Sequence, residues 1–320
     1  MKKLTRIGLH QLGGLQTILW RSRKKYRILT YHRFAPELFP SVASDLQRHC
    51  AFLKEHFEVI PLAEIGRCID SGQKLPPNAL AVTIDDGYRD FLENAFPVFQ
   101  VWKIPATVFL ITDFLDGKLW PWWNQVEYAV MHTDLAGFNS ALLPGHTLPL
   151  TNQSQKAQAV SSLCSGIVKI PNKARLEFMR VLPELLRVDL PRQPPRQYAA
   201  LSWDEVRELA QNGIEFGAHT KTHPVLTTLE DPEWVFDEIS GSKERLDQEL
   251  GQTTPHFCYP NGDWNETVLN AVERCGFQTA VTTKPGLNGG DAHRYRLHRL
   301  SVEPGFPDYY FREEVAGLHM

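Results

Sequence analysis

The sequence predicts an α/β fold built on a parallel β-sheet, either open or closed into a barrel, and three observations support this prediction. An almost continuous apolar run at residues 79–84, which includes β-branched residues, is typical of a strand buried on both faces. A helical pattern from Tyr88 to Phe99 follows, and a second apolar run at 105–111 completes a strand–helix–strand unit. Strand and helix patterns alternate again from about residue 200.

The other elements follow from local signals along the chain. Short runs typical of strands predict further strands at residues 27–31, 57–60, 214–218, 256–259 and 277–282. Helical spacing predicts a helix over 44–56. Capping and stop residues predict three more helices, which are one from Ser202 that stops before Gly213, one from Asp231 that Gly251 ends, and one over 265–274 that Gly276 closes. The clearest of these signals is the capping box formed by Ser202 and Glu205.

These patterns divide the chain into four segments. They are a basic amphipathic N-terminal helix (1–25), the first part of the α/β domain (26–112), a helical insertion (113–197) and the second part of the α/β domain (198–320). The insertion interrupts a strand-to-helix connection, and such connections lie at the active-site end of these folds. Its tryptophans Trp120, Trp122 and Trp123 either stack on sugar rings or, as we favour, anchor the insertion by burying aromatic area.

Composition excludes several classes of protein. The chain has 320 residues, and its hydrophobic fraction of 42% and charged fraction of 22% are ordinary for a globular protein. The net charge of −3 hides nine Lys or Arg in the first 36 residues, against 25 basic and 37 acidic residues in the rest. A body this acidic argues against general nucleic-acid binding, which needs clustered cations. Five scattered cysteines without a Cys-x-x-Cys pair argue against a disulfide framework or a thiolate zinc site.

The basic N-terminus has two interpretations. Apolar residues recur at near-helical spacing among the basic ones, namely Leu4, Ile7, Leu12, Leu15, Ile18 and Leu19. Such a helix lies either on an anionic membrane surface or packed on the body of the protein, and Gly13 and Gly14 favour packing because they weaken an isolated helix. No secretory signal is evident. We therefore expect a cytoplasmic protein, or one that is peripheral on the cytoplasmic face of the membrane.

Two adjacent carboxylates follow the buried strand at 79–84. Asp85 and Asp86 precede Gly87, and like charges this close raise one another's pKa unless a cation or hydrogen bonds intervene. A metal ion resolves the conflict if one carboxylate binds it while the other remains a free base. The same three residues are also typical of a simple turn, so the pattern alone leaves both interpretations open.

Two histidines four residues apart follow another predicted strand. His219 and His223 can converge on one ion, and Pro224 disfavours a helical conformation at His223. No Glu lies between the histidines, which argues against the metalloprotease pattern His-Glu-x-x-His. One Asp and two His make a three-ligand site with open positions, which is the arrangement of catalytic rather than structural zinc.

Three ordered motifs resemble those of the polysaccharide deacetylase family, the NodB-homology domain of carbohydrate esterase family 4. They are Thr83-Ile-Asp-Asp-Gly87, His219-Thr-Lys-Thr-His223-Pro224 and Phe257-Cys-Tyr-Pro-Asn-Gly262. The resemblance covers about residues 26–112 and 198–305, and its motifs are most similar to those of the biofilm exopolysaccharide branch. It implies a distorted (β/α) barrel of about seven parallel strands. It also implies metal-dependent removal of N-acetyl groups from a hexosamine-containing glycan.

The resemblance further implies a role for each site residue. Asp85 is the general base, and Asp86, His219 and His223 bind one divalent metal ion. Zinc is the first choice for that ion, with cobalt, nickel, manganese or iron as alternatives. The backbone N–H of Tyr259 contributes to the oxyanion hole. The partner is an N-acetylated glycan, whose choice we expect the insertion to influence by covering the mouth of the barrel.

Two departures from the family pattern concern the base and the acid. Many relatives carry an Arg three positions before the Tyr of the third motif, where this chain has His256. The late Leu-x-His motif that normally supplies the acid has only a near match at residues 296–299. The Tyr-His pair that ends the first predicted strand resembles the N-terminal Tyr-His of the biofilm-glycan branch. We therefore predict that His32 is the general acid, with His298 as the runner-up.

Two other functions fit parts of the pattern. A binding protein of the same fold would hold a glycan without cleaving it, but the complete set of base and ligands argues against this function. A metal-dependent glycosyltransferase or phosphohydrolase would use Asp85 and Asp86, but no Gly-rich phosphate-binding loop is present in the sequence. Release of acetate, as opposed to phosphate or a nucleoside diphosphate, discriminates among them. The sequence names neither the glycan nor the oligomeric state.

Overall fold

The computed structural model describes residues 13–142 and 145–320, and seven parallel strands of these residues form a closed barrel. The barrel strands are β1 (Arg27–Tyr31), β3 (Ala79–Ile84), β4 (Ala106–Leu110), β7 (Glu215–Ala218), β8 (His256–Cys258), β9 (Thr279–Pro285) and β10 (Leu297–Ser301). Three short strands lie outside the ring, β2 (Glu58–Val59) beside β3 and the hairpin of β5 (Gly137–Asn139) and β6 (Thr147–Pro149). The ring runs β1-β10-β9-β8-β7-β4-β3, and pairing of β1 with β3 closes it. The predicted barrel is therefore confirmed.

The closed parallel barrel explains why catalytic side chains meet at one rim. Every residue of β3 is buried, because its inward side chains fill the barrel and its outward ones pack under helices. Since all seven strands run in the same direction, their carboxyl ends lie at the same end of the barrel. The segments that follow β1, β3, β7 and β8 therefore converge there, and these segments carry the sequence motifs.

Helices surround the barrel and form the insertion. They are α1 (Gly14–Ser22), α2 (Val42–His56), α3 (Leu62–Ser71), α4 (Phe96–Trp102), α5 (Thr112–Leu115), α6 (Trp122–His132), α7 (Gln153–Ile167), α8 (Asn172–Leu185), α9 (Trp203–Gln211), α10 (Pro232–Leu250), α11 (Glu266–Arg274) and α12 (Asp308–Val315). A π-helical turn, Phe91–Ala95, precedes α4. Both hydrogen bonds of the capping box at Ser202 and Glu205 are present, which confirms that signal. Strand β10, helices α3 and α12 and the β5–β6 hairpin were not predicted as elements.

The insertion has its own apolar core and is attached to the barrel by hydrogen bonds. Helices α6, α7 and α8 pack around a separate buried cluster that includes Trp122. The Tyr88 hydroxyl donates to Asn124 Oδ1 at 2.5 Å, and Trp123 Nε1 donates to the Tyr88 oxygen at 2.7 Å. Trp120 packs on the rings of Tyr128, within the insertion, and Tyr198, just after it, and does not line the active-site cleft.

Helix α1 packs on the body of the protein through one face. Leu15 and Leu19 are buried in the main hydrophobic core, whereas Trp20 is 62% exposed. This packing agrees with the interpretation that we favoured for the basic N-terminus, although Leu4, Ile7 and Leu12 lie outside the described residues. Within the described ranges, no helix combines the length and the apolar character needed to cross a bilayer.

Candidate active site

A cleft of about 460 Å³ opens at the carboxyl end of the barrel. It brings together every predicted site residue except the runner-up His298, namely His32, Asp85, Asp86, His219, His223 and Tyr259. The insertion contributes a wall through Trp122, Trp123 and part of α7. The Trp123 ring lies edge-on to the ring of His223, with 4.6 Å between their centroids. Trp122 and Trp123 therefore pack in the insertion and line the cleft at the same time.

Three side chains suited to bind a metal converge in this cleft. Asp86 Oδ1 lies 3.5 Å from His219 Nε2 and 3.8 Å from His223 Nε2, and all three side chains are buried. Ligand atoms bound tetrahedrally at about 2.0–2.1 Å from zinc stand roughly 3.4 Å apart, so the separations suit one small divalent ion. The donor set of one carboxylate and two imidazoles fits zinc and other first-row ions.

Hydrogen bonding and burial set the state of the two imidazoles. His219 Nδ1 lies 2.8 Å from the carbonyl oxygen of Cys258 and must donate to it, so Nε2 is the nitrogen that faces Asp86. Burial alone would lower the pKa of His219, but Cys258 and the nearby carboxylates raise it well above its usual value. Burial and the adjacent His219 lower the pKa of His223 to about 3, so this ring is neutral. The carboxylates thus favour positive charge at His219, whereas the neutral ring of His223 keeps a lone pair that can bind a cation.

The backbone around the cluster is held in strained conformations. Asp86, Thr220, His223 and Asn261 have φ values of 76°, 64°, 54° and 56°, in the left-handed region that residues other than glycine rarely adopt. Among the described residues, three other non-glycine positions have a positive φ. Thr220 Oγ1 accepts a 3.0 Å hydrogen bond from the N–H of His223 and so holds the turn between the histidines. A left-handed conformation at a non-glycine residue persists only where the surrounding structure holds it, and such residues are typical of functional sites.

Glu238, which was not predicted from the sequence, positions the loop between His219 and His223. Its buried carboxylate accepts hydrogen bonds from the N–H groups of Lys221 and Thr222 at 3.0 and 2.9 Å, and from the Thr222 hydroxyl at 2.6 Å. These bonds tie the segment between the two histidines to helix α10. A signal was present, because Glu238 stands on the buried face of that helix, next to Ile239, where an apolar residue is expected.

Asp85 forms a buried bidentate ion pair with Arg299, a residue of β10. Both distances, from Arg299 Nη1 and Nη2 to the two carboxylate oxygens, are 2.7 Å. The other three guanidinium N–H groups have acceptors in the Thr282 carbonyl, the Thr83 hydroxyl and the Cys258 sulfur. Burial alone would raise the pKa of Asp85, but Arg299 outweighs it and holds that pKa well below its usual range. Asp85 is therefore a carboxylate at neutral pH.

Arg299 takes the position expected of the missing base partner, and His256 does not. His256 is buried in β8, its Nδ1 lies 2.8 Å from Thr279 Oγ1, and burial lowers its pKa to about 3. The ring is therefore uncharged and bonded within the sheet. From the sequence, Arg299 was included only in the near match to the Leu-x-His motif at residues 296–299. The available signal was an Arg two residues after Leu297, on the same face of a strand and therefore in need of a buried carboxylate.

A second group of potential ligands, Asp85, His219 and Cys258, is less suitable for a metal ion. Both oxygens of Asp85 are already bound by Arg299. Burial raises the pKa of the Cys258 thiol, whereas a metal ion requires the thiolate. The structure therefore favours the group of Asp86, His219 and His223 as the candidate metal site, with Asp85 beside it as an ionised carboxylate paired with Arg299.

The two candidates for the general acid occupy different places. His32 follows β1 at the rim, where its Nε2 lies 3.6 Å from Asp85 Oδ2 and its side chain is 45% exposed. His298 lines a separate cavity with Trp264 and Lys284, because its side chain points away from the face of β10 that carries Arg299. The structure thus brings His32 and not His298 into the cleft.

The backbone N–H of Tyr259 differs from its expected role. It donates to the carbonyl oxygen of Val281 at 3.2 Å, as part of the pairing between β8 and β9. Because this N–H is already bonded within the sheet, the structure does not present it as a free oxyanion donor. Tyr259 still lines the cleft, and its hydroxyl donates to the carbonyl of Tyr295 at 2.9 Å.

Comparison with known proteins identifies relatives of this chain. The sequence model of the family described as polysaccharide deacetylase matches residues 72–160 and 185–280. YxkH of Bacillus subtilis (strain 168), whose name assigns it to the polysaccharide deacetylases, is 39% identical over 296 residues, which are 92% of this chain and 77% of that protein. The poly-beta-1,6-N-acetyl-D-glucosamine N-deacetylase of Staphylococcus epidermidis (strain RP62A) is 26% identical over 171 residues, 52% of this chain and 56% of that protein.

A solved structure shares the fold. The Streptococcus pyogenes deacetylase PplD, solved in complex with acetate, superposes with a TM-score of 0.59 at 20% sequence identity. The match covers 91% of this chain and 98% of that one. At this level of identity the likeness shows the shared barrel with its surrounding helices.

Proposed function

The chain belongs to the polysaccharide deacetylase family, and from this premise we propose that it hydrolyses N-acetyl groups of a hexosamine-containing glycan with the help of one divalent metal ion. The observation that carries the proposal is the buried group of Asp86, His219 and His223 beside the carboxylate of Asp85, which Arg299 keeps ionised. The name of the Staphylococcus epidermidis relative supports an N-acetylhexosamine substrate. Zinc is the proposed ion, because the ligands are two imidazoles and one carboxylate.

The reaction needs an activated water, a stabilised oxyanion and a proton for the leaving nitrogen. A divalent ion held by Asp86, His219 and His223 would supply Lewis acidity, which polarises the acetyl carbonyl and lowers the pKa of a bound water. Asp85, kept ionised by Arg299, accepts the proton of the attacking water. The water oxygen forms the new bond to the acetyl carbon while the carbon–nitrogen bond breaks.

His32 is the proposed donor to the departing nitrogen. An amide nitrogen leaves poorly as an anion, so it must take up a proton as the bond breaks. His32 lies at the rim of the cleft, and an imidazolium donates readily near neutral pH. Its partial exposure leaves room for a substrate next to Asp85. The products are acetate and the free amine of the sugar.

Removal of the three proposed ligands is expected to abolish both metal binding and activity. We expect wild-type protein to bind one equivalent of zinc and to release acetate from N-acetylglucosamine oligomers, and chelation to stop the release. The variants Asp86→Ala, His219→Ala and His223→Ala should each weaken metal binding, and the triple variant should bind none. Metal content is measured by mass spectrometry on the same samples as acetate release.

Three outcomes would contradict parts of this proposal. A triple variant that retains stoichiometric metal would show that the ion binds elsewhere. A protein that binds glycan but releases no acetate would be a binding protein of the same fold. Release of phosphate instead of acetate would indicate a phosphohydrolase. The substitution Asp113→Ala is a matched control, because Asp113 follows β4 at the same end of the barrel but does not line the cleft.

His32→Ala is expected to lose amide hydrolysis far more than ester hydrolysis. An acetyl ester with a good leaving group needs little proton donation, whereas an N-acetyl amide needs it fully. We expect a loss of about 10²–10⁴-fold with the amide, with unchanged metal content. His298→Ala is the matched control because it removes an imidazole outside the cleft. A selective loss in His298→Ala alone would make the His32 assignment wrong.

The two cleft tryptophans are expected to differ in their effects. Trp122 is 8% exposed within the core of the insertion, so Trp122→Ala should lower the free energy of unfolding by about 3–5 kcal/mol. Trp123 contacts His223 from the cleft wall, so Trp123→Ala should raise KM for long oligomers more than for short ones. Steady-state kinetics on oligomers of two and six sugars, with urea unfolding, measures both. Equal loss on all substrates with lowered stability would assign Trp123 a packing role.

A further inference from the structure

A second cavity, of about 370 Å³, lies on the other face of the strand end that borders the active-site cleft. Successive side chains of an extended strand point to opposite faces. Thr283 of β9 lines the cleft, whereas its neighbours Thr282 and Lys284 line the second cavity, which we call the β9 cavity. The two spaces are therefore separated by a single strand end. The volume lies within the range of about 300–1,000 Å³ that is usual for small-ligand sites.

Most of the charged side chains that line the β9 cavity are cationic. Lys25, Lys284 and Arg296 line it from three different segments of the chain, and Asp291 is the one carboxylate in the lining. In the described part of the chain, none of the three cations forms an ion pair with a carboxylate, Asp291 included. Concentration of one sign of charge in a concave surface produces an attractive potential for ligands of the opposite sign. The cavity therefore suits an anionic group.

The same cavity carries groups that recognise planar anions and sugar rings. The guanidinium of Arg296 lies 4.8 Å from the centre of the Trp264 ring, which holds it in a defined orientation. Arg binds carboxylate and phosphate through paired hydrogen bonds, and Lys284 adds a mobile charge. Trp264 also gives the cavity an apolar surface of the kind that packs against the C–H face of a pyranose. A sugar that bears an acidic group combines both features.

We propose that the β9 cavity is a subsite for an anionic substituent, a carboxylate or a phosphate, on the glycan that is deacetylated in the neighbouring cleft. This inference rests on the proposed function. The cleft holds the acetyl group that reacts, so an acidic unit of the substrate is better placed across β9, where the cations lie. The same cations repel the ammonium group of a deacetylated sugar, so product units do not compete for the subsite. The chain thus selects an acidic heteropolymer over a neutral homopolymer.

The kinetic test compares three N-acetylglucosamine oligosaccharides of equal length. One is neutral, one carries a glucuronate unit next to the acetylated sugar, and one carries a phosphate ester at that position. We expect kcat/KM for at least one anionic substrate to exceed that for the neutral one by about tenfold, the gain expected from one charge-assisted contact. The advantage should shrink as the ionic strength rises, because salt screens exposed charges.

The variants Lys284→Glu and Arg296→Gln are expected to remove this preference. The readout is the ratio of kcat/KM between anionic and neutral substrates, which a general loss of folding or of metal does not change. Lys74→Glu is the matched control, since it makes the same charge change on an exposed lysine that does not line the β9 cavity. Equal rates for all three substrates in the wild type, or an unchanged ratio in both cavity variants, would overturn the inference.

A binding experiment separates failure of this inference from failure of the proposed function. Calorimetry measures binding of a glucuronate-containing disaccharide and of glucose 6-phosphate to wild type, Lys284→Glu and Asp86→Ala. Binding to Asp86→Ala that is lost in Lys284→Glu supports the subsite even if no acetate is ever released, and the tighter probe identifies the substituent. Acetate release from the neutral glycan without binding of either probe overturns the subsite and leaves the proposed function intact.

Discussion

Substitution of Asp85 by Asn is expected to lower deacetylation by about 10²–10⁴-fold and to leave the metal content unchanged. The amide of Asn cannot accept the proton of the attacking water, whereas Asp86 and the two histidines remain in place. The substitution is nearly isosteric, and the Asn oxygen still accepts a hydrogen bond from Arg299. The measurement is kcat/KM for acetate release together with metal analysis of the same protein.

The same substitution at Asp90 provides the control for lost ion pairing. Asp90 is buried and pairs with Arg33 at 2.7 Å, but it does not line the cleft. Asp90→Asn is therefore expected to lower stability without a comparable loss of activity. Loss of metal in Asp85→Asn would place Asp85 among the ligands, and the roles of Asp85 and Asp86 would have to be exchanged.

The sequence predicted the chemical groups that directly follow strands. Asp85 and Asp86 come immediately after β3, and His219 comes immediately after β7, so a parallel arrangement alone places them at one rim. His32 was predicted in the same way from the end of β1. These predictions required only the direction of the strands, because the carboxyl ends of all parallel strands meet at one end of a barrel.

The direction of the strands does not predict those site residues whose contacts depend on the pairing of strands that are distant in sequence. Arg299 contacts Asp85 across 214 positions of sequence, through β10, whose charged and polar residues hide a strand pattern. Tyr259 was expected to expose its N–H, but the register of β8 against β9 directs that group to Val281. Register is a three-dimensional property that a single sequence does not encode locally. The role of Glu238 depends instead on how helix α10 packs against the loop after β7, which brings its carboxylate to the N–H groups of Lys221 and Thr222.

In the insertion, too, some features could be predicted from the sequence and others could not. Its helical character was predicted from the sequence, and each of its three helices buries one face in the core of the insertion. The short hairpin of β5 and β6 was missed, since strands of three residues carry no detectable alternation. Tyr88 helps to attach the insertion to the barrel, because its hydroxyl donates to Asn124 and accepts from Trp123. Nothing in the local sequence of Tyr88 indicates that contact.

Substitution of Arg299 by Gln is expected to destabilise the fold by about 3–5 kcal/mol and to remove most of the activity, because it leaves the Asp85 carboxylate buried without its counter-ion. In the wild type the folded-state pKa of Asp85 is depressed by Arg299. This lowered pKa stabilises the folded protein at every pH above the pKa that Asp85 has in the unfolded chain. The stabilisation is lost as the pH falls toward the pKa that Asp85 has in the folded protein. In the variant, burial without the guanidinium raises the pKa of Asp85, so the carboxylate destabilises the fold at neutral pH and protonation relieves it.

The stability difference between wild type and Arg299→Gln should therefore be largest near neutral pH and should shrink on acidification. Urea unfolding at pH 7 and at lower pH measures it, and the acidic limb of kcat/KM should move to higher pH in the variant. Arg299→Lys is the matched control, since it keeps the charge but not the five N–H contacts, and should retain part of both effects. The interpretation would be contradicted if the stability difference between wild type and Arg299→Gln did not change with pH and the acidic limb of kcat/KM did not shift. Arg299 would then only fill space and would not hold Asp85 ionised.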